Sequence, residues 1–170
     1  MIIGKKIKSF LRNKIDFRVS FIICGTQKGG TTALDYYLRK HVEICMANKK
    51  EVHFFDNDSL FKNNKNNYLK YHKNFAPKSQ HKVIGEATPI YMYWSDSIKR
   101  IYNYNPEIKL IMILRNPITR AFSHWNMEFE KQKEKDDFFK AIQKESSKKQ
   151  KHEHIQNRIS SYLERGLYSK

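Results

Sequence analysis

The chain has 170 residues, the size of one compact domain, and is long enough to bury a hydrophobic core. Hydrophobic residues make up 39% of it and aromatic residues 14%, which excludes an intrinsically disordered protein although 29% of the residues are charged. The 33 Lys and Arg residues against 17 Asp and Glu give a formal net charge of +16, which favours an anionic partner: nucleic acid, membrane, acidic polysaccharide or a charged nucleotide.

We predict a basic leader over residues 1–17 and a folded domain over residues 18–170. The leader interleaves Lys and Arg with apolar residues, which suits either a solvated helix or a basic amphipathic helix on a membrane surface. We favour the solvated helix and expect at most weak membrane association. Charged positions interrupt the apolar residues, so a secretory signal is not predicted.

A strand, a glycine loop and a helix follow the leader. Arg18–Gly25 is apolar and β-branched, which predicts a buried strand, and apolar residues at intervals of three and four predict a helix over Thr31–Lys40. Between them, residues 25–32 read Gly-Thr-Gln-Lys-Gly-Gly-Thr-Thr, with small residues where a backbone can wrap an anion in front of a helix amino terminus. A lone Gly-Gly pair would indicate only a flexible turn. The candidate anion-binding residues are Lys28, Gly29, Gly30, Thr31 and Thr32.

The segment Lys50–Asp56, Lys-Glu-Val-His-Phe-Phe-Asp, places two carboxylates, an imidazole and a lysine within seven residues. Such groups carry out proton transfer in enzymes. The alternative is a half-buried strand anchored by Val52 and Phe54, with an exposed His53. In an extended segment Glu51 and His53 would point to opposite faces, so only one could face a bound substrate.

The second half of the chain repeats the alternation of strands and helices. We predict strands over Lys82–Gly85 and Lys109–Leu114, the latter strongly buried, and a helix over Ser95–Tyr104. Asn116 and Pro117 supply a cap and a first helical residue for a helix to about Lys131, with Ile118, Ala121, Phe122 and Trp125 on its inner face. A solvated helix pair is predicted over Lys131–Lys151. This order favours an α/β fold with a mostly parallel sheet.

The loop is not the common nucleoside-triphosphate loop, because Lys28 comes early instead of directly before the Ser or Thr. An ATPase would usually have a magnesium-binding Asp after the second strand, where this chain has Arg115. The sequence therefore predicts a site without a metal, neutralised by protein cations. Arg115 and Ser123, on the following helix, can bind a second phosphate through charge and a hydroxyl donor.

Four segments in this order resemble the sulfotransferases that use 3'-phosphoadenosine 5'-phosphosulfate, particularly the branch of heparan sulfate and bacterial carbohydrate sulfotransferases. They are residues 25–32, Lys50–Asp56, Gly85–Tyr91 and Arg115–Ser123. The resemblance implies a P-loop-NTPase-like three-layer fold, with a mostly parallel central sheet flanked by helices. It also implies that this donor is the co-substrate, that the acceptor is a carbohydrate and that neither a metal nor nucleic acid takes part.

The resemblance assigns roles to individual residues. The loop from Lys28 to Thr32 would hold the sulfuryl end of the donor, and Arg115 and Ser123 its 3'-phosphate. Glu51 matches the glutamate that acts as the base in the heparan sulfate branch, with His53 as the second candidate. Ala87 stands where those enzymes tend to have a lysine.

Such domains normally continue past a segment like Arg165–Tyr168, so we expect the chain to be incomplete at its carboxyl end. Two other classes of protein are compatible with the sequence. A nucleotide kinase would need magnesium ligands. A basic nucleic-acid-binding module is favoured only by the net charge and the 10 tyrosines.

The two cysteines, Cys24 and Cys45, are too few for a disulfide framework and lack the spacing of a zinc site. A reducing compartment is the simpler assumption, and we therefore predict a cytoplasmic location. The longest apolar stretches fall far below the roughly 20 residues needed to cross a bilayer, so no transmembrane helix is predicted.

Overall fold

A computed structural model describes residues 17–62, 68–147 and 161–168. Its centre is a four-stranded parallel sheet with the strand order β2-β3-β1-β4. The strands are β1 Phe21–Gly25, β2 Ile44–Met46, β3 Val83–Ala87 and β4 Lys109–Met112. The predicted leader lies outside the described residues, apart from Phe17.

Five α-helices surround the sheet in the described ranges: α1 Thr31–Leu38, α2 Tyr68–His72, α3 Ser95–Tyr104, α4 Pro117–Glu130 and α5 Phe138–Ser147. Three short 3-10 helices cover Asp58–Leu60, Pro89–Met92 and Glu164–Gly166. The helices predicted after the first and last strands are confirmed, and that over Ser95–Tyr104 has the predicted bounds. Of the helix pair predicted over Lys131–Lys151, the described residues contain α5. No helix among them is long and apolar enough to span a membrane.

The central strand β1 is buried along its whole length and fixes the register of the sheet. Phe21 pairs with Gly85 of β3 and with Lys109 of β4. A Cβ atom at position 85 would lie 2.2 Å from the Phe21 ring, so this pairing needs a glycine. Because the three strands are parallel, the loops after them meet at one edge of the sheet, where anion sites of α/β proteins form.

Side chains from β1 alternate between two layers. Ile22 packs into an aromatic cluster that includes Phe54, Phe55 and Tyr71, while Phe21 and Ile23 pack toward α1. The alternation is the period of two expected of a strand that is covered on both faces. The prediction of a three-layer α/β fold with a parallel sheet is therefore confirmed.

The prediction that the last strand is strongly buried is wrong. β4 lies at the edge of the sheet, where Leu110 is 38% and Met112 54% exposed. The predicted inner face of α4 is also wrong in part, since Ile118 and Phe122 are exposed while Ala121 is buried. An apolar run identifies a strand, but its burial depends on neighbouring elements that the run itself does not specify.

α4 turns a polar face inward. The side chains that it buries besides Ala121 are Arg120, His124 and Glu128. Arg120 donates to the carbonyl oxygen of Tyr162, and the His124 ring packs against the Tyr162 ring. A spacing of four residues places the three polar side chains in one row along the helix. Hydrophobic periodicity cannot detect such a row, because its members count as polar.

Candidate active site

The loop after β1 owes its shape to its glycines. A Cβ at Gly29 would lie 2.4 Å from the carbonyl oxygen of Ile113 and 2.9 Å from that of Thr26, so no larger residue fits there. Gly30 adopts a left-handed φ of +104° and caps α1, which begins at Thr31. The unpaired N–H groups and positive dipole end of α1 therefore face the space that the loop encloses.

A cleft of about 310 Å³ opens between this loop, the segment after β2 and the start of α4. It is lined by Gln27, Lys28, Gly30, Thr31, Thr32, Lys50, Glu51, Pro89, Arg115, Ser123 and Met127. Seven of the nine predicted site residues are in this set, all except Gly29 and His53. Gly29 packs against the backbone of Thr26 and Ile113, and His53 contacts the cleft-lining Glu51.

Arg115 connects the loop to α4. Its Nη1 donates to the carbonyl oxygen of Lys28 at 3.2 Å, and its Nε donates to Oγ1 of Thr119 at 3.2 Å. The Asn116 side chain accepts hydrogen bonds from the N–H groups of Ile118 and Thr119, which caps α4 as predicted. The guanidinium is exposed, so its remaining donors can meet an anion in the cleft, with Ser123 further along the same helix.

The segment Lys50–Asp56 is irregular and contains no strand. His53 has a left-handed φ of +55°, which turns its ring back toward Glu51. Nε2 of His53 lies 3.3 Å from Oε2 of Glu51, and Nδ1 lies 2.8 Å from Oδ2 of Asp56. The expectation that Glu51 and His53 point to opposite faces is therefore wrong, because it assumed an extended backbone.

The contacts of this cluster set its protonation. Hydrogen bonds to Asp56 and then to Glu51 raise the pKa of His53 to about 9, so the ring is an imidazolium at neutral pH. Burial would raise the pKa of Glu51, but hydrogen bonds and charge from His53 and Lys50 lower it below its usual value. At neutral pH Glu51 is thus an ionised acceptor, while His53 has no free lone pair to take a proton.

Sequence reasoning missed Lys50 as a site residue. Its ammonium lies 3.1 Å from Oε1 of Glu51, and it lines the cleft opposite the loop. Lys50 is the first residue of the segment Lys50–Asp56 and directly precedes Glu51. Its position next to the proposed base is the sequence feature that could have identified it. Among the described residues, three cations therefore line the cleft: Lys28, Lys50 and Arg115. Within residues 17–62, 68–147 and 161–168 no cluster of three or more His, Cys, Asp or Glu residues could hold a metal ion.

A sequence model described as the sulfotransferase domain matches residues 18–170. The chain therefore belongs to the sulfotransferase family. Its fold is similar to the crystal structure of a sulfotransferase from Alicyclobacillus acidocaldarius, with a TM-score of 0.73 and 29% sequence identity over 89% of this chain and 65% of that one.

Two relatives extend the comparison. The membrane-associated sulfotransferase kil1 of Dictyostelium discoideum is 37% identical over 111 residues, which are 65% of this chain and 23% of the relative. Heparan sulfate glucosamine 3-O-sulfotransferase 5 of Mus musculus is 35% identical over 127 residues, 72% of this chain and 34% of the relative. The chain thus spans about a quarter to a third of the length of these relatives.

The predicted cytoplasmic location is contradicted by these relatives, one of which is membrane-associated by name. The prediction depended on the low number of cysteines. Cys24 and Cys45 are both buried and unpaired. Buried thiols are shielded from oxidants, so their presence does not identify a reducing compartment.

Proposed function

We propose that the protein containing this chain transfers a sulfuryl group from 3'-phosphoadenosine 5'-phosphosulfate to a hydroxyl or amine of a carbohydrate. One observation carries the proposal: a single cleft brings the glycine loop, Arg115 and the ionised Glu51 together. A donor with phosphates at two ends needs two anion sites, and an attacking hydroxyl needs a proton acceptor.

The loop would hold the 5'-phosphosulfate. Its glycines let the backbone approach closely, and the amino terminus of α1 favours negative charge. Lys28 would stabilise the charge that develops on the bridging oxygen as the sulfur–oxygen bond breaks. Arg115 and Ser123, across the same cleft, would bind the 3'-phosphate.

Glu51 would remove the proton from the acceptor as its oxygen or nitrogen forms the new bond to sulfur. Its carboxylate lines the cleft and is ionised at neutral pH, whereas the His53 ring lies outside the lining and is protonated. Lys50 stands beside Glu51, where its ammonium can meet the oxygens of the sulfuryl group. His53 then orients Glu51 and takes no proton itself.

A carbohydrate acceptor is favoured by the relatives whose names specify heparan sulfate glucosamine. The net charge of +16 suits an acidic polysaccharide. Ala87, however, is buried beside Phe21 and Ile23 and supplies no cation to the cleft. We therefore propose the acceptor class as carbohydrate rather than heparan sulfate itself.

Binding of adenosine 3',5'-bisphosphate, the donor's product, tests the proposed site. Calorimetry in the absence of magnesium should give specific binding that adenosine 5'-monophosphate does not reproduce, because only the bisphosphate reaches Arg115. Binding that requires magnesium and prefers ATP would instead indicate a nucleotide kinase. Equal binding of both adenosine nucleotides would contradict the 3'-phosphate site.

A further inference from the structure

A fully buried carboxylate lies behind the cleft and takes no part in the proposed chemistry. Glu86 is the fourth residue of β3 and has no exposed surface. It accepts hydrogen bonds from three hydroxyls, those of Tyr71 at 2.7 Å, Thr88 at 2.6 Å and Tyr91 at 3.3 Å. A buried carboxylate is costly, so one that is retained in a core calls for a reason.

Two of these hydroxyls also bind the backbone of the segment that carries Glu51. Oγ1 of Thr88 accepts the N–H of Val52 at 3.0 Å, and the Tyr91 oxygen accepts the N–H of Phe54 at 3.0 Å. A backbone N–H can only donate. Each hydroxyl therefore uses an oxygen lone pair toward the segment, and its own proton is left to point at Glu86.

The two anchored N–H groups belong to the residues on either side of His53. That residue holds the left-handed backbone conformation that a non-glycine residue rarely adopts. Such a conformation persists where surrounding contacts determine it. The anchors at Val52 and Phe54 are such contacts, and the conformation they fix is the one that brings Glu51 and His53 within 3.3 Å.

We propose that Glu86 is a positioning residue: through Thr88 and Tyr91 it holds residues 52–54 so that Glu51 faces the cleft. This inference depends on the proposed function for the role of Glu51, while the positioning itself can be measured without turnover. In its ionised form Glu86 is the common acceptor that orients both hydroxyls. Burial raises the pKa of Glu86 to about 7, so the kinetics and titrations below should be measured above that pH, where the carboxylate predominates.

Glu86→Gln tests the acceptor directly, since the amide places a donor beside hydroxyls that themselves donate. In the sulfotransferase that contains this chain, we expect kcat to fall by about 10- to 100-fold, as misplacement of a catalytic group does. The affinity for adenosine 3',5'-bisphosphate should stay within about twofold.

If Glu86→Gln fails to fold, Thr88→Val and Tyr91→Phe remove the two hydrogen-bonded links one at a time. Thr88→Ser keeps the hydroxyl and should keep the parental kcat.

Tyr104→Phe is the matched control. The hydroxyl of Tyr104 accepts the N–H of Val19 at 2.9 Å in the same core, without a hydrogen bond to residues 52–54. Tyr104→Phe leaves the buried N–H of Val19 without its acceptor and removes the hydrogen bond to Nε2 of His72, while Tyr91→Phe removes the acceptor of the Phe54 and Phe55 N–H groups. Both variants should therefore lose stability. Only Tyr91→Phe should lower kcat.

The titration of the His53 ring, followed by NMR and assigned with His53→Gln, gives a readout independent of sulfuryl transfer. In the parent protein the ring should titrate near 9, because it touches Glu51 and Asp56. Thr88→Val and Tyr91→Phe should lower this pKa toward its ordinary value, and Tyr104→Phe should not.

If the folded Thr88→Val and Tyr91→Phe proteins keep the parental kcat and the parental His53 titration, the inference is overturned. A parent that fails to transfer sulfuryl groups but shows the expected titrations would refute the proposed function alone.

Discussion

The carboxylate of Glu51 lies 3.3 Å from Nε2 of His53, whose Nδ1 lies 2.8 Å from the carboxylate of Asp56. The imidazolium is thus held between two carboxylates, only one of which lines the cleft. This arrangement favours the proposed roles, in which Glu51 accepts the proton and His53 orients it.

Glu51→Gln should abolish turnover, since the amide keeps the size of the side chain but cannot accept a proton. We expect a loss of at least about 100-fold in kcat, the usual contribution of a general base. The affinity for adenosine 3',5'-bisphosphate should be unchanged. His53→Ala should retain measurable transfer. Steady-state kinetics of both variants decide the assignment, and the reverse pattern would make the imidazole the base.

Lys28→Ala should lower kcat by about 10²- to 10³-fold while leaving the fold intact, because a loop lysine supports charge in the transition state. Lys49→Ala is a suitable control, since Lys49 is exposed and does not line the cleft. Kinetics and thermal unfolding of the two variants should be compared. Near-parental turnover of Lys28→Ala would remove its proposed role.

Arg115→Ala should weaken donor binding by about 1.5–3 kcal/mol, roughly 10- to 150-fold in Kd, because a phosphate loses a charge-assisted hydrogen-bond partner. Calorimetry with adenosine 3',5'-bisphosphate measures this directly. Lys109→Ala, an equal change of charge on the exposed edge strand, should bind as the parent does. An unchanged Kd for Arg115→Ala would exclude it from the 3'-phosphate site.

The raised pKa of His53 predicts a pH dependence of stability. The pKa is about 9 in the folded protein and near 6.5 in an unfolded chain, so the stabilisation is complete below about pH 6.5 and lost as the pH rises through 9. The ring is 48% exposed, so solvent screening makes the effect smaller than the pKa difference suggests. Denaturant unfolding of the parent and of His53→Gln should differ more at pH 6 than at pH 9.5. An equal difference at both values would contradict the assigned pKa.

Much of the fold follows from local sequence pattern. The buried strand through Gly25, the glycine loop and the helix capped by Asn116 could each be predicted, because apolar runs, glycines and capping residues act over a few positions. The exposure of Leu110 could not, since it depends on the place of β4 at the edge of the sheet. Strand order is a property of the whole chain, and periodicity does not encode it.

The candidate site also has features that local sequence pattern predicts and features that it does not. The loop around Lys28 and the position of Arg115 were predictable because each lies at the end of an apolar strand, and parallel strands bring such ends together. The contact between Glu51 and His53 was not, because it depends on a left-handed residue held by Thr88 and Tyr91, far away in sequence. Long-range hydrogen bonds of this kind leave no local pattern.

Sulfuryl transfer itself is tested by incubating the protein containing this chain with sulfur-labelled 3'-phosphoadenosine 5'-phosphosulfate and a panel of glycans, without magnesium. Mass spectrometry should show one added sulfuryl group on a glycan hydroxyl or amine, with release of adenosine 3',5'-bisphosphate. Glu51→Gln should give none. If the parent protein labels no glycan and instead transfers phosphate from ATP when magnesium is present, it is not a sulfotransferase.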